Sequence, residues 1–218
     1  MPDNAREKPT VYGAAYSAYV RGVRLTLIEK GVDYDLVEVD VFANREHRAA
    51  QLARHPFGKI PAFEHAGLRL YESQAIERYV DEAFEGPNLQ PKDLGQRARM
   101  NQALGLLDAY VYPVLLWEVR VERVEKPRRG LAADEAKVAA GLARSETCLR
   151  AMEAIMQGGP WLAGPALTLA DLHAAPMIDY FREAPEGRAM TERFARIADW
   201  SAAMAERLDR VRPRAAAT

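Results

Sequence analysis

The fold of this chain is decided by Lys59-Ile60-Pro61-Ala62-Phe63 and, a few residues later, by Leu70-Tyr71-Glu72-Ser73. The turn residues Ala66-Gly67 separate the two runs, which predicts two short strands joined by a tight connection. Apolar residues then recur at helical spacing at positions 76, 79, 80 and 84. We therefore expect a helix that begins at Ser73.

A helix that begins at Ser73 offers a place for an anion. Its first N–H groups have no partner within the helix, and the helix dipole is positive at this end. A small anionic molecule can be held there, with the Ser73 hydroxyl as a further donor. The Ile60-Pro61 peptide stands at the entry to the first strand, where a cis bond is tolerated and would expose the Ile60 backbone to a peptide-like ligand. The alternative is a hairpin and a capped helix that bind nothing.

The composition excludes several classes of protein. With 218 residues, the chain suffices for one large or two small domains. Its 30 basic and 31 acidic residues nearly cancel, which argues against nucleic acid as a partner. The first eight residues lack the apolar core of a signal peptide, and no apolar run reaches membrane-spanning length. We expect a soluble cytoplasmic protein that has no membrane partner.

The cysteine and histidine content argues against redox and metal sites. Cys148 is the only cysteine, so the chain has neither an internal disulfide nor a Cys-x-x-Cys pair. Its place in a helical pattern predicts a small buried side chain. The four histidines are scattered and show no metal-ligand spacing, so we expect no metal.

The segments before Lys59 predict a β-α-β unit. Thr10-Val11-Tyr12-Gly13 is typical of a short strand, and Ser17 lies in the loop that leads to a helix ending near Gly31. Residues 34–41 alternate well enough to predict a second strand, parallel to the first. A polar helix at 45–54 and a loop at 55–58 follow. The predicted order is β-α-β, a connecting helix, and then β-β-α.

Seven short motifs in this half share their order and spacing with one known family. They are Val11-Tyr12-Gly13, Ser17, Arg21-Gly22-Val23, Glu29-Lys30-Gly31, Val39-Asp40-Val41, Pro56-Phe57-Gly58-Lys59-Ile60-Pro61 and Tyr71-Glu72-Ser73-Gln74-Ala75-Ile76. The set resembles the glutathione transferase family, and most of all its phi, or serine-type, class. The resemblance implies a thioredoxin-like, glutathione-binding domain in which Pro61 is cis.

A domain boundary is predicted at residues 85–92, where glycine and proline interrupt the helical patterns. We assign residues 9–85 to the thioredoxin-like domain and residues 92–218, which read as helix, to an all-helical domain. The fold class is thus α/β followed by all-α. Within the long helix 96–125, Pro113 predicts a kink.

Thr168 and Asp171 mark the start of a further helix. Thr168 stands at the N-cap and Asp171 three residues later, which is a capping box with aspartate in place of glutamate. Leu167 and Leu172 are placed for the accompanying hydrophobic staple. The motif resembles the one that begins the family's central buried helix, so its expected role is structural.

The resemblance implies that Ser17 is the catalytic residue. The chemical task is to ionise a bound thiol, because a free thiol has a pKa of about 8.5 and is mostly protonated at pH 7. A serine hydroxyl at a helix N-terminus stabilises the anion by donating to the sulfur, without attacking anything itself. Tyr12 and Tyr16 also carry hydroxyls suited to this task, and both stay open as alternatives.

The resemblance also implies the residues that bind glutathione, which are His47, Lys59, Ile60, Pro61, Glu72 and Ser73. The first two are placed for the glycine carboxylate, the next two for the cysteinyl backbone, and the last two for the γ-glutamyl end. At the glycine subsite the chain departs from the phi pattern, with His47 at the usual lysine position and Lys59 where glutamine is common.

Together these expectations describe a cytosolic glutathione S-transferase. Glutathione would be its co-substrate, and the thiolate would attack a small hydrophobic electrophile. Reduction of organic hydroperoxides is equally compatible with an activated thiolate. The resemblance further implies a homodimer. Two alternatives are a binding protein of the same fold, which the altered glycine subsite favours, and a glutathione-dependent isomerase, against which the lack of a serine-rich loop argues.

Overall fold

The computed structural model describes residues 7–42, 45–156 and 159–213, without the side chains of Arg45, His47 and Arg48. This part of the chain divides into two compact units. One comprises the residues up to Leu89 and those from Arg207 onward, and the other comprises Gln90–Glu206. Within the described ranges, no helix has both the length and the apolar character needed to cross a membrane.

The first unit follows the predicted order of strands and helices. Its elements are β1 Thr10–Tyr12, α1 Ala18–Glu29, β2 Asp35–Val37, α2 Arg45–Leu52, β3 Ala62–His65, β4 Leu68–Tyr71 and α3 Ser73–Ala83. The strands form a sheet in the order β2-β1-β3-β4, in which β1 is parallel to β2 and antiparallel to β3. The predicted thioredoxin-like fold is confirmed.

A buried apolar cluster holds α1 and α3 to the sheet. Its members are Val11, Val20, Val23, Leu27, Phe63, Ile76, Val80 and Phe84. The helix residues among them recur three or four positions apart, so each helix turns one apolar face to the strands. Because this cluster fixes both helices, it also fixes where their N-termini lie.

β2 is shorter than the predicted strand over residues 34–41. Its ladder with β1 covers only Asp35–Val37 and ends where the Gly13 N–H donates to the last carbonyl of β2 at 3.0 Å. The next residue, Glu38, accepts from the Ala15 N–H instead of continuing along β1. Since β1 itself has only three residues, the alternating pattern beyond Val37 has no strand to pair with.

The second unit is helical, as predicted. Its elements are α4 Leu94–Leu106, the π-helical segments π1 Leu107–Val111 and π2 Pro113–Glu125, α5 Lys126–Arg128, α6 Glu135–Met156, α7 Leu169–Phe181, α8 Pro185–Arg193 and α9 Ala195–Ala203; α10 Ala205–Asp209 crosses the division between the units. Cys148 is buried in α6, as its helical pattern predicted.

Arg207 and Val211, near the described end of the chain, contact α1. Arg207 Nε lies 3.2 Å from Glu29 Oε1, and Arg24 donates from Nη1 to the Val211 carbonyl at 3.1 Å. These bonds explain why the described end of the chain groups with the first unit. The domain limits 9–85 and 92–218 remain a prediction.

The long helix is π-helical on both sides of Pro113. From Leu107 to Glu125 the backbone is π-helical, apart from Tyr112. In such segments the hydrogen bonds run to the fifth preceding residue. Pro113 has no N–H to donate, and its ring excludes the usual bond to the residue four positions back. Pro113 thus lies inside π-helical backbone at the place where the sequence predicted a kink.

α7 is the buried centre of the second unit, and its capping box is present as predicted. Asp171 Oδ2 accepts from the Thr168 N–H at 2.8 Å and from its hydroxyl at 2.9 Å. Asp171 Oδ1 accepts from the Leu162 N–H at 2.8 Å and from Trp200 Nε1 at 2.9 Å. Burial raises the pKa of this carboxyl above its ordinary value, and the four donors act against that shift. Asp171 thus joins the helix start to two other segments.

A second buried carboxylate, Glu122, lies in π2. It accepts from Lys126 Nζ at 2.6 Å, from Lys137 Nζ at 2.9 Å and from the Asp134 N–H at 3.0 Å. Burial alone would raise the pKa of Glu122, but the three donors outweigh burial and lower the pKa from 4.5 to about 2. This lowered pKa stabilises the folded protein fully at pH values above 4.5, the ordinary pKa of the carboxyl. The stabilisation is lost as the pH falls from 4.5 to about 2.

We expect Glu122→Gln to lower the free energy of unfolding at pH 7 by about 1–3 kcal/mol, because the ammonium groups lose a charged acceptor. The loss should be smaller at pH 3, where the lowered pKa of Glu122 already contributes less to the stability of the parent protein. Urea titrations at the two pH values measure the difference. The exposed Glu192→Gln is the control and should change stability little. An equal loss at both pH values would contradict this role of Glu122.

Candidate active site

Ser17 is the N-cap residue of α1, as predicted from its place before the helix. Its backbone is extended, with φ −66° and ψ 130°, and its Oγ accepts a long hydrogen bond from the Val20 N–H at 3.5 Å. Within the described residues, nothing accepts the proton of this half-buried hydroxyl. The hydroxyl can therefore donate to a ligand at a helix end where the dipole favours negative charge.

Two carboxylates that follow β2 hold the loop before Ser17. Glu38 Oε2 accepts from the Ala15 N–H at 3.2 Å, and Asp40 Oδ1 accepts from the Tyr16 hydroxyl at 2.8 Å. The sequence predicted neither contact, because the partners are more than twenty positions apart and no local pattern links them. The contacts fix the loop from which α1 begins.

The two tyrosine alternatives to Ser17 have acceptors for their protons. The Tyr12 hydroxyl donates to Glu64 Oε2 at 2.9 Å, and the Tyr16 hydroxyl donates to Asp40. Burial, followed by the bond to Glu64, raises the pKa of Tyr12 above its usual value. A hydroxyl that already donates to a carboxylate is a poor donor to a sulfur anion, so these contacts favour Ser17.

The Ile60-Pro61 peptide is cis, as the resemblance implied. Neither the N–H nor the C=O of Ile60 has a hydrogen-bond partner among the described residues, so both can pair with an extended ligand. The end of β1 lies close by, because a Cβ atom on Gly13 would be 3.4 Å from Ile60 Cβ and would collide with Val20. The glycine therefore lets the end of β1 pass close to Val20 of α1.

The turn from β4 into α3 presents a carboxylate beside free donors. Glu72 has φ 68° and ψ 110°, a region that residues with a Cβ rarely adopt. Its carbonyl accepts from the N–H groups of Ala75 and Ile76, whereas the N–H and the hydroxyl of Ser73 have no partner in the described part of the chain. α3 begins at Ser73, as predicted. The arrangement suits an anionic group at the helix start and a cation next to Glu72.

The residues predicted for the glycine carboxylate are only partly described. The Lys59 side chain is exposed, and Gln51 Nε2 donates to the Lys59 carbonyl at 2.9 Å. The Lys59 ammonium has no ion-pair partner among the described residues and is available to an external anion. His47 lies in α2, but its side chain falls outside the described part of the structure, so its role stays a prediction.

His55 was assigned no role from the sequence, yet it lies near the predicted site residue Glu72. Its ring is 3% exposed, and its Nε2 lies 3.9 Å from Glu72 Oε1. Its ring centroid is 4.9 Å from that of Tyr71. Burial lowers the pKa of His55, a shift that the nearby Lys59 reinforces and Glu72 opposes. A histidine in a loop gave no local signal of these contacts.

Comparison with known proteins finds two matching family models. A family model described as the N-terminal domain of glutathione S-transferase matches residues 11–88, and the model of the C-terminal domain matches residues 135–203. Glutathione S-transferase F10 of Arabidopsis thaliana is 32% identical over 182 residues, which cover 83% of each chain. A glutathione S-transferase of Hyoscyamus muticus is 33% identical over 172 residues, or 78% of this chain and 81% of the relative.

Solved structures show the same similarity over nearly the whole length. Glutathione transferase F7 of Populus trichocarpa superposes with a TM-score of 0.82 at 27% identity, covering 93% of this chain and 97% of its own. Maize glutathione S-transferase I, solved with an atrazine glutathione conjugate, superposes with a TM-score of 0.81 at 25% identity, covering 94% and 96% of the two chains.

Proposed function

The chain belongs to the glutathione S-transferase family, whose phi class it resembles most, and from that premise we propose that it transfers glutathione to hydrophobic electrophiles. The main support is that the Ser17 hydroxyl, at the N-cap of α1, can donate its proton to a ligand, whereas Tyr12 and Tyr16 already donate to carboxylates. In the proposed mechanism Ser17 donates to the glutathione sulfur and stabilises its anion.

The first unit would hold the tripeptide at three places. Ser73, at the start of α3, would donate to the γ-glutamyl carboxylate, and Glu72 would pair with the ammonium group. Ile60, which precedes Pro61, would pair its backbone with the cysteinyl unit. Lys59 and His47 would face the glycine carboxylate. Holding the thiolate beside a bound electrophile supplies rate by proximity.

The remaining parts of the proposal rest on the family. Residues 9–85 would form the glutathione-binding domain and residues 92–218 the helical domain that selects the electrophile. The protein would be a cytoplasmic homodimer. Because an activated thiolate also attacks peroxide oxygen, reduction of organic hydroperoxides is the second activity to test.

Binding and turnover together test the proposal. The purified protein should be retained on immobilised glutathione, be released by free glutathione, and conjugate a chloronitrobenzene. Retention without conjugation or hydroperoxide reduction would indicate a glutathione-binding protein of this fold. The absence of both retention and turnover would overturn the proposal.

The contribution of Lys59 can be tested separately. Lys59→Met should raise the Kd for glutathione about three- to tenfold, since an exposed cation facing a carboxylate contributes modestly. The effect should shrink in high salt, because salt screens exposed charges, while kcat stays unchanged. Calorimetric titration at low and high salt measures it. The exposed Lys92→Met is the control, and an unchanged Kd in Lys59→Met would remove Lys59 from the glycine subsite.

A further inference from the structure

We propose that His55 is a positioning residue that links the loop before Ile60 to Glu72, so that glutathione binding weakens in acid. The inference rests on the proposed function, because Glu72 and Ile60 are expected to touch the tripeptide. His55 itself would not touch it. The two ring nitrogens of His55 face different parts of the site.

The Nδ1 side of the ring holds the loop. His55 Nδ1 accepts from the Phe57 N–H at 3.3 Å, and the His55 carbonyl accepts from the Gly58 N–H at 2.8 Å. A ring nitrogen that accepts carries no proton, so in the neutral ring the proton sits on Nε2. This loop leads directly to Lys59 and Ile60, whose positions therefore depend on it.

The Nε2 side of the ring faces the turn into α3. The distance of 3.9 Å between Nε2 and Glu72 Oε1 is too long for a hydrogen bond but short enough for an electrostatic attraction. The Glu72 side chain is 65% exposed, so little else restrains it. The His55 ring is buried against Tyr71, the residue that precedes Glu72. One ring thus contacts both segments that the proposal assigns to the tripeptide.

Protonation would work against this arrangement. The charged groups near the ring are Glu72 at the turn and Lys59 in the loop, and Tyr71 packs against it from β4. Burial lowers the pKa of His55, which favours the neutral ring at pH 7. A proton added at Nδ1 in acid would remove the acceptor for Phe57. The resulting cation would also compete with the glutathione ammonium for Glu72.

Three variants separate the two contacts. In His55→Asn, the side-chain oxygen can stand where Nδ1 accepts, but nothing reaches Glu72. In His55→Gln, the amide nitrogen can stand where Nε2 lies near Glu72, but the acceptor for Phe57 is lost. His55→Ala lacks both. None of the three titrates between pH 5 and 8, so they also isolate the pH effect from that of Glu72 and of glutathione itself.

Calorimetric Kd values for glutathione, together with conjugation kinetics, are measured at several pH values from 5 to 7.5, with melting curves as the control for folding. At pH 7.5 we expect His55→Ala to raise Kd about tenfold, and the Asn and Gln variants to raise it less. The KM for glutathione should follow Kd, while kcat at saturating glutathione and the KM for the electrophile stay within about twofold.

Between pH 7.5 and 5, affinity should fall more steeply in the parent protein than in the Asn and Gln variants. Nitrogen NMR of the free protein should show His55 neutral at pH 7 with its proton on Nε2. A parallel loss of affinity with pH in parent and variants, or a Kd unchanged in His55→Ala, would overturn the inference. A parent protein that binds no glutathione would instead overturn the proposed function.

Discussion

Replacing Ser17 with alanine is expected to lower kcat for conjugation by roughly 10²–10³-fold, the cost of removing one donor to a developing anion. The Kd for glutathione should change by less than about threefold, because the hydroxyl matters mostly for the charged sulfur. Stopped-flow or steady-state conjugation kinetics at saturating glutathione measure kcat, and calorimetry measures Kd.

Three matched variants decide whether the hydroxyl itself is responsible. Ser17→Thr keeps both the hydroxyl and the N-cap, so it should retain much of the activity and a normal melting curve. Tyr12→Phe and Tyr16→Phe remove the hydroxyls that donate to Glu64 and Asp40. We expect both to keep kcat within about fivefold, the effect of disturbing a neighbouring polar contact. If Ser17→Ala keeps full turnover, the residue that stabilises the thiolate would be the tyrosine whose phenylalanine variant is inactive.

Replacing Asp171 with alanine should lower the free energy of unfolding by about 3–5 kcal/mol, more than the roughly 0.5–2 kcal/mol of an ordinary cap. The reason is that four donors lose their acceptor in a fully buried place: two on Thr168, the Leu162 N–H and Trp200 Nε1. Denaturant titration followed by tryptophan fluorescence and circular dichroism measures the loss.

Two further variants test whether Asp171 acts through these bonds. Asp171→Asn keeps the shape and one acceptor oxygen but turns an amide toward donors, so its loss should be smaller than that of alanine but still clear. Thr168→Ser keeps the hydroxyl and should lose little. The affinity of the folded fraction for glutathione should be unchanged in all of them. A changed affinity together with an unchanged melting curve would contradict a purely structural role.

Local sequence patterns predicted most of the fold. The starts of α1 and α3, and the capping box at Thr168, depend on residues within a few positions of each other, so the chain itself displays them. The extent of β2 depends on a partner strand elsewhere, and the π-helical backbone around Pro113 depends on how successive residues share their hydrogen bonds. The alternating pattern after Val37 does not reveal that β1 has ended, and one proline does not reveal how its neighbours redistribute their hydrogen bonds.

The residues of the candidate site also fall into two groups, those that local motifs identify and those that only long-range contacts reveal. Ser17, Ile60 and Ser73 lie in motifs that the family resemblance identifies residue by residue. The support for those motifs comes from long-range contacts: Glu38 with Ala15, and His55 with Glu72. These contacts join segments that only the folded sheet brings together, and Ala15, Glu38 and His55 lie in none of the motifs. The sequence therefore predicts the groups expected to touch glutathione better than the groups that hold them in place.

The central claim is that the protein stabilises the glutathione thiolate beside Ser17. The most direct measurement is a pH titration of the ultraviolet absorbance of the thiolate in the glutathione complex, for the parent protein and for Ser17→Ala. We expect the pKa of the bound thiol to lie about one unit or more below the value of about 8.5 for a free cysteine thiol, and to return toward that value in Ser17→Ala. A bound thiol that titrates like free glutathione in the parent protein would contradict the claim.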